Sequence, residues 1–301
     1  MRARVTPLSG KLSLITLFPP LPGFEDFIGV WLYRGAETFL VEVGPSVTAP
    51  SLFQALEALE VRSLDFILIT HIHIDHAGAA GHLAARFPST PIVCHGSGLS
   101  HLAEPSRLWE GTLKRLGETA RAYGPIAPVP RKSLLPAEGF ASGLVRCLPT
   151  PGHAPHHVSY WSEECLFAGE AAGTYQALPA GRDYLRPATP PRFFFDAYLR
   201  SLETLIGLRP QRICYGHFGL KEAPASLLAR HREQLFLWKD LIASSLPQAR
   251  QPGFLADCAE RLLAQDPLLQ GYPLLEEAAR QREMGFIRNS VMGFAGCLER
   301  L

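Results

Sequence analysis

The chain has 301 residues, of which 47% are hydrophobic and 19% charged, so it can bury a sizeable core. Its 29 basic residues almost balance its 28 acidic residues, which argues against a general field that attracts nucleic acid or an anionic membrane. The 6 cysteines form no Cys-x-x-Cys pair, which argues against a zinc ribbon and a disulfide-stapled secreted scaffold. We therefore expect a cytoplasmic protein without a signal peptide or a membrane span.

Strand and helix patterns alternate through the first third of the chain. β-Branched and aromatic residues predict a strand at LSLITLF and a hairpin at FIGVWLYRGAETFLVEVG, and helical spacing predicts a helix at SLFQALEALE. The continuous apolar run DFILIT is typical of a strand that is buried on both faces. A helix at AGAAGHLAARFP, ended by Pro88, and a strand at PIVCH are predicted after it.

The next region interrupts this alternation. Residues 97–140 predict helices followed by the proline-rich connection PIAPVPRKSLLP, and together they form a candidate helical insertion. Strand patterns return at LVRCLPTPGH, HVSYWS and ECLFAGEAAG. A loop is predicted from Tyr175 to Phe195, with the arginines of GRDYLRP on the solvated surface. A helix at DAYLRSLETLIGL and a strand at RICYGH follow.

From about residue 225 onward the patterns are helical only. Residues such as Leu227, Leu228, His231, Leu235, Trp238 and Ile242 recur at steps of three and four positions, which marks a face that needs an apolar partner. We therefore expect a main domain over residues 1–224 and a C-terminal helical cap, packed on that domain, over residues 225–301.

Three of the 11 histidines, His71, His73 and His76, lie close together around Asp75. Each buried imidazole brings polar nitrogens that must find partners, so such a cluster is a poor way to build a core. In an extended segment, His71, His73 and Asp75 would point the same way, and a tight turn would bring in His76. Imidazole nitrogens with a carboxylate suit zinc, and also iron or manganese.

Three later residues supply further candidate donors. His153, Glu170 and His217 each follow a hydrophobic strand pattern, and each comes directly after a glycine. Glycine allows the backbone to turn sharply or to approach another segment closely. We therefore expect these three side chains to join the histidine cluster at one end of the strands.

The sequence H-x-H-x-D-H at 71–76, followed by His153, an acidic residue at 170 and His217, resembles the metallo-β-lactamase superfamily over roughly residues 10–222. The resemblance implies an α/β protein, a four-layer αββα sandwich with two divalent metal ions at one edge. It also implies the ligands: His71, His73 and His153 for one ion, Asp75, His76 and His217 for the other, and a bridging Glu170.

Two positions depart from the family pattern. The usual bridging aspartate is Glu170 here, one methylene longer, which puts full occupancy by two ions in question. The early strand that usually ends in aspartate has Glu42, a position that typically supports ligands rather than binding metal. His157 is expected to have a structural role.

The resemblance implies a metal-dependent hydrolase that uses an activated hydroxide on a small-molecule ester, thioester, lactone or phosphoester, with Asp75 as a catalytic residue. Two alternatives stay open: an enzyme like the mononuclear-iron persulfide dioxygenases, and a regulatory or binding protein that retains the metal site. The expected partner is a small-molecule substrate, with neither nucleic acid nor membrane, and a homodimer is an open alternative.

Overall fold

The computed structural model describes residues 3–162 and 165–299 of the protein. Seven strands form the first sheet in sequence order: β1 Arg4–Pro7, β2 Leu12–Leu17, β3 Ile28–Arg34, β4 Thr38–Val41, β5 Phe66–Leu68, β6 Ile92–Cys94 and β7 Leu134–Pro136. β1 to β4 pair antiparallel, and β4 to β7 pair parallel. The parallel half therefore brings the carboxyl ends of β4, β5 and β6 to one edge.

The second sheet contains five strands in the spatial order β14-β13-β10-β9-β8. Their bounds are β8 Val145–Pro149, β9 Val158–Ser162, β10 Leu166–Gly169, β13 Arg212–Tyr215 and β14 Gly219–Glu222; β11 Thr174–Leu178 and β12 Arg182–Arg186 form a separate hairpin. β10 and β13 are parallel, so their carboxyl ends also lie at the same edge of the sheet.

The described ranges of the chain contain ten α-helices. They are α1 Ala49–Ala58, α2 Ile74–Ala77, α3 Ala80–Arg86, α4 Leu99–Ala103, α5 Ser106–Leu116, α6 Glu118–Tyr123, α7 Phe195–Gly207, α8 Ala225–Ser245, α9 Phe254–Gln265 and α10 Glu277–Leu298. Among these described helices, none combines the length and the apolar character that crossing a membrane requires.

Alternation of side chains along the strands divides the core into three layers. Between the sheets, Trp31 and Phe39 of the first sheet pack with Tyr160 and Phe167 of the second. The opposite face of the first sheet packs against α1 and α3. The opposite face of the second sheet packs against α7, α8, α9 and α10. The expected four-layer αββα sandwich with a C-terminal helical part is thus confirmed.

Two of the predicted loops are wrong. The end of the proline-rich connection is β7, which pairs with β6 at the edge of the first sheet, where the missing N–H of Pro136 is tolerated. The predicted loop from Tyr175 to Phe195 contains the β11–β12 hairpin. Arg186 in this hairpin is buried rather than solvated, because its Nε donates to Glu283 Oε2 of α10 at 2.6 Å.

The predicted apolar stripe of α8 is buried against α7, α9, α10 and the hairpin. α10 also lies close to the segment before α7, because Gly293 has no side chain to hold the helix away. A Cβ atom at Gly293 would fall inside van der Waals contact with Thr189 O and lie 2.9 Å from Pro190 O. The close approach of these two segments therefore depends on this glycine.

Replacing Gly293 by alanine is expected to lower the free energy of unfolding by about 1–3 kcal/mol, because α10 must move away from the Thr189 carbonyl. Gly285→Ala in the same helix is the matched control. A Cβ atom at Gly285 meets nothing within 4 Å, so this change should raise helix stability slightly. Chemical denaturation of both variants tests the prediction, and effects of the same sign would contradict it.

Candidate metal centre

The histidine cluster begins where β5 ends. After Leu68 the chain bends at Thr70, and His73 is the N-cap of the single-turn helix α2, with φ −61° and ψ 148°. Asp75 and His76 therefore do not continue the strand alternation. The first turn of α2 directs them instead, and it carries both into the same cluster as His71 and His73.

The later donors also follow strand ends in both sequence and space. His153 comes after β8 and Gly152, which has φ +144°, and Glu170 comes directly after β10 and Gly169, which has φ +55°. His217 follows β13. The positive φ values at the two glycines turn the backbone sharply, so that the next side chain faces the edge between the sheets.

Four of the predicted residues form the first donor group: His71, His73, His153 and Glu170. His73 Nδ1 lies 3.0 Å from His71 Nε2 and 3.1 Å from His153 Nε2. Glu170 Oε2 lies 2.9 Å from His153 Nε2 and 3.3 Å from His71 Nε2. Three ring nitrogens and one carboxylate oxygen thus converge on one point.

The second donor group consists of Asp75, His76 and His217. His76 Nε2 and His217 Nε2 are 3.0 Å apart, and Asp75 Oδ2 lies 3.3 Å from His217 Nε2 and 3.8 Å from His76 Nε2. Glu170 Oε2 reaches this group as well, at 3.4 Å from His76 Nε2. The same oxygen of Glu170 therefore contacts rings of both groups.

The outer nitrogens of two rings show that this donor set fits divalent ions. His153 Nδ1–H donates to Ala188 O at 2.9 Å, and His217 Nδ1–H donates to Phe27 O at 2.9 Å. When these rings are neutral, their Nε2 atoms carry only lone pairs. Each such atom faces another ring nitrogen at about hydrogen-bond distance, so either a proton or a metal ion must lie between the two nitrogens. One proton serves one pair, whereas one divalent ion serves three donors at once.

The carboxylates of the cluster are held in the ionised form. Burial alone would raise the pKa of Glu170, but the neighbouring rings of His153, His71 and His76 together outweigh it and hold that pKa well below the usual value. Burial likewise opposes ionisation of Asp75, yet His76 and His217 lower its pKa. Negative charge is therefore present in both donor groups at neutral pH.

The pKa values of His71 and His73 are shifted in the opposite direction from that of His76. Burial, followed by neighbouring rings, lowers the pKa of His71 well below its usual value and that of His73 to about 3. For His76, burial is outweighed by Glu42 and Asp75, which raise its pKa. In the absence of a metal ion, a proton therefore occupies the second group at neutral pH.

Glu42 lies outside the cluster and supports it. Its Oε1 lies 3.3 Å from His76 Nδ1 and accepts a hydrogen bond from Thr70 Oγ1, which in turn lies 3.0 Å from His71 Nδ1. Glu42 thus contacts the outer nitrogen of one ring directly and that of another through Thr70. Such contacts fix the tautomer and the orientation of the rings.

His157 does not direct a nitrogen into the cluster. Its Nδ1 lies 2.9 Å from Thr150 Oγ1, and its Nε2 accepts from the backbone N–H of Glu170 at 3.1 Å. Both ring nitrogens are therefore used, as expected for a structural role.

Sequence reasoning missed several residues that contact the predicted donors, namely Phe27, Thr70 and Tyr198. The ring of Phe27 stacks on His217 with centroids 4.0 Å apart and planes 9° apart. Tyr198 donates to the backbone carbonyl of Glu170 at 3.0 Å. Neither residue lies near its partner in the sequence, so strand and helix patterns could not identify the contact.

Comparisons with known proteins agree with this geometry. The sequence model of the metallo-beta-lactamase superfamily matches residues 25–217. A metallo-beta-lactamase fold-containing protein of Sulfurisphaera tokodaii is 31% identical over 221 residues, which are 70% of this chain and 80% of that protein. A hydroxyacylglutathione hydrolase of Xanthomonas euvesicatoria is 25% identical over 91% of this chain and 94% of its own length.

The fold comparison points the same way. The crystal structure of an archaeal metallo-beta-lactamase superfamily protein from Sulfolobus tokodaii has a TM-score of 0.63 and 28% identity, covering 74% of this chain and 85% of that one. The family match spans more than half of the chain, including all seven predicted donors. The chain therefore belongs to the metallo-β-lactamase superfamily.

Proposed function

We propose that the protein is a metal-dependent hydrolase that cleaves a small-molecule ester, with a thioester as the first candidate. The observation that carries this proposal is that Glu170 Oε2 lies against rings of both donor groups. A carboxylate in that place suits a bridge between two ions. The thioester is suggested by relatives named hydroxyacylglutathione hydrolase, since an acyl group on glutathione is carried by the thiol.

The two ions, zinc in this proposal, would be held by the groups described above: His71, His73 and His153 for one, Asp75, His76 and His217 for the other, and Glu170 between them. When bound, such ions supply water activation near neutral pH and polarisation of an ester carbonyl. No side-chain nucleophile is required for hydrolysis of this kind.

The exposure of the donors suggests the direction from which substrate arrives. His73 and Asp75 are partly exposed, whereas the other five donors are buried. We infer that substrate reaches the cluster from the side of His73 and Asp75. The ionised Asp75 carboxylate is then placed to accept a hydrogen bond from the attacking water and to orient it.

We propose that the C-terminal helices, residues 225–301, form a cap on a catalytic domain that comprises residues 1–224. Phe286 of α10 stacks on Phe27 at 5.2 Å, and Phe27 in turn stacks on His217. α6 of the insertion adds Tyr123, which packs edge-on against Phe24 at 6.2 Å. Phe24 in turn packs edge-on against Phe27 at 5.1 Å, so both additions to the sandwich reach the surroundings of the second donor group.

Elemental analysis of the purified protein, combined with a substrate panel, tests the proposal. We expect two equivalents of zinc and hydrolysis of a thioester or another ester that stops when a chelator removes the metal and returns when zinc is restored. The panel also contains lactones, phosphodiesters and glutathione persulfide. Absence of zinc, iron and manganese after reconstitution would contradict the proposal.

Two other results would favour one of the alternative functions over the proposed hydrolase. One equivalent of iron with oxygen consumption on glutathione persulfide would favour the mononuclear dioxygenase alternative. Full metal content without turnover of any substrate in the panel would favour the regulatory alternative.

A further inference from the structure

The backbone of Glu170 is held by side chains at both its N–H and its carbonyl. Its N–H donates to His157 Nε2 at 3.1 Å, and its carbonyl accepts from the Tyr198 hydroxyl at 3.0 Å. The carbonyl also accepts from the backbone N–H of Gly173 at 3.2 Å, which closes a turn after β10. Of these contacts, the one from Tyr198 joins the donor cluster to helix α7.

A firm backbone matters more for glutamate at this position than it would for aspartate. The extra methylene adds one rotatable bond between the backbone and the carboxylate, so the carboxylate can take up more positions. Yet Oε2 must lie within 2.9–3.4 Å of ring nitrogens of His153, His71 and His76. The position of the Glu170 backbone therefore decides whether its carboxylate meets both donor groups.

Tyr198 is itself fixed within a buried hydrogen-bond network. Its side chain is fully buried, and its hydroxyl lies 3.3 Å from His231 Nε2 of α8. His231 Nδ1 lies 2.7 Å from Gln234 Oε1. The Gln234 amide nitrogen donates to Leu185 O at 2.7 Å and to Asp266 Oδ2 at 2.6 Å, which fixes Oε1 as the acceptor.

The arrangement of protons in the network follows from these contacts. Because Gln234 Oε1 can only accept, the proton of the neutral His231 ring lies on Nδ1, and Nε2 is an acceptor. The single proton of the Tyr198 hydroxyl is therefore shared between His231 Nε2 and Glu170 O. The hydroxyl of Tyr198 thus contacts both α8, through His231, and the backbone of Glu170.

We propose that Tyr198 is a positioning residue for Glu170, and that its hydroxyl sets the affinity with which the cluster binds a second divalent ion. The inference rests on the proposed metal centre. Loss of the hydroxyl removes one of the two hydrogen bonds to the Glu170 carbonyl and loosens this backbone segment, so that the carboxylate no longer stays between the two groups. The first group loses the Glu170 oxygen as well, but it keeps three ring nitrogens, because the positions of His71, His73 and His153 do not depend on this contact.

Tyr198 also packs against the turn before His153, and this packing must be separated from the proposed role. A Cβ atom at Gly152 would lie 2.5 Å from the Cβ of Tyr198, so the two backbones are in close contact. A residue that only maintains this packing would change thermal stability without changing the affinity for the second ion relative to the first. Phenylalanine keeps the packing and removes only the hydroxyl.

The test is a zinc titration of the metal-free full-length protein and its Tyr198→Phe variant, with calorimetry and chelator competition. We expect the first equivalent to bind as in the unaltered protein, and the second to bind at least about tenfold more weakly. Tyr160→Phe is the matched control. Tyr160 is also fully buried, and its hydroxyl also serves two acceptors, Ile69 O at 3.0 Å and Val93 O at 3.1 Å. It should lose thermal stability with both affinities unchanged.

His231→Asn provides a second variant if Tyr198→Phe does not fold. It removes the competing acceptor, so the Tyr198 proton goes entirely to Glu170 O. We expect lower thermal stability with undiminished affinity for the second equivalent. Weaker binding of the second zinc equivalent by His231→Asn, or unchanged binding of it by Tyr198→Phe, would overturn this inference but not the proposed function. Failure of the unaltered protein to bind zinc overturns the proposed function as well.

Discussion

Replacing Asp75 by asparagine is expected to lower turnover per folded molecule at least about 100-fold while changing thermal stability little. Asp75 Oδ2 faces His217 at 3.3 Å from a side chain that is 20% exposed, so its charge serves the cluster rather than the core. Asparagine keeps the shape and removes the charge. Thermal melts and rates of ester hydrolysis, measured on the same samples, test this result.

Asp65→Asn is a suitable control, because Asp65 lies just before the start of β5, whereas the histidine cluster follows the end of that strand. It is exposed, and its carboxylate accepts a hydrogen bond from the backbone N–H of Thr38 at 2.6 Å. It belongs to neither donor group. Its activity should match the unaltered protein. A large fall in the melting temperature of Asp75→Asn, with activity per folded molecule intact, would contradict the role assigned to Asp75.

Replacing Glu283 by glutamine is expected to lower the free energy of unfolding by about 3–5 kcal/mol, the usual effect of breaking a buried ion pair. Glu283 of α10 is 1% exposed, and its Oε2 accepts from Arg186 Nε at 2.6 Å and from the Tyr184 hydroxyl at 3.0 Å. Glutamine leaves the buried Arg186 charge without its counterion. Chemical denaturation measures the change.

The matched control for this variant lies in the first turn of the same helix. Glu277 is exposed and pairs with Arg280 three residues later, so Glu277→Gln should have a far smaller effect. Equal destabilisation by the two variants would contradict the importance given to the buried pair.

The same carboxylate predicts how stability depends on pH. Burial would raise the pKa of Glu283, but Arg186 and Arg282 outweigh it and hold the pKa below its usual value. The unfolded chain therefore takes up this proton at a higher pH than the folded protein does. The stabilisation is complete at neutral pH and is lost as pH falls below about 4.3, the ordinary value for glutamate. Glu283→Gln should flatten the loss of stability in that acidic window.

The strands and the candidate donors at their ends were accessible from the sequence because they depend on local patterns, whereas the αββα architecture came from the family resemblance. Buried strands appear as apolar runs, and polar residues directly after them mark the carboxyl edge of a sheet, as with His71 after DFILIT. Glycine before His153 and Glu170 signalled the turns. The grouping of donors by metal came from the family resemblance, since spacing alone does not show which rings converge.

Contacts between distant segments were not accessible in this way. The hydrogen bond from Arg186 to Glu283 spans 97 positions, and GRDYLRP therefore looked like a solvated surface. The stacking of Phe27 on His217 joins residues near opposite ends of the family match. Such contacts depend on tertiary packing, which periodicity within a short window does not encode.

The Phe27 ring has one further consequence, which concerns the energetics of the last helix. One face of the ring stacks on His217, and Phe27 also contacts α10 through Phe286 at 5.2 Å and the Arg282 guanidinium at 4.3 Å. Local opening of α10 would remove these supports and release the ring that restrains His217. By thermodynamic reciprocity, whatever binds at His217 must make that opening rarer. Binding of a ligand at His217 should therefore increase the protection of α10, a helix of 22 residues, against local opening.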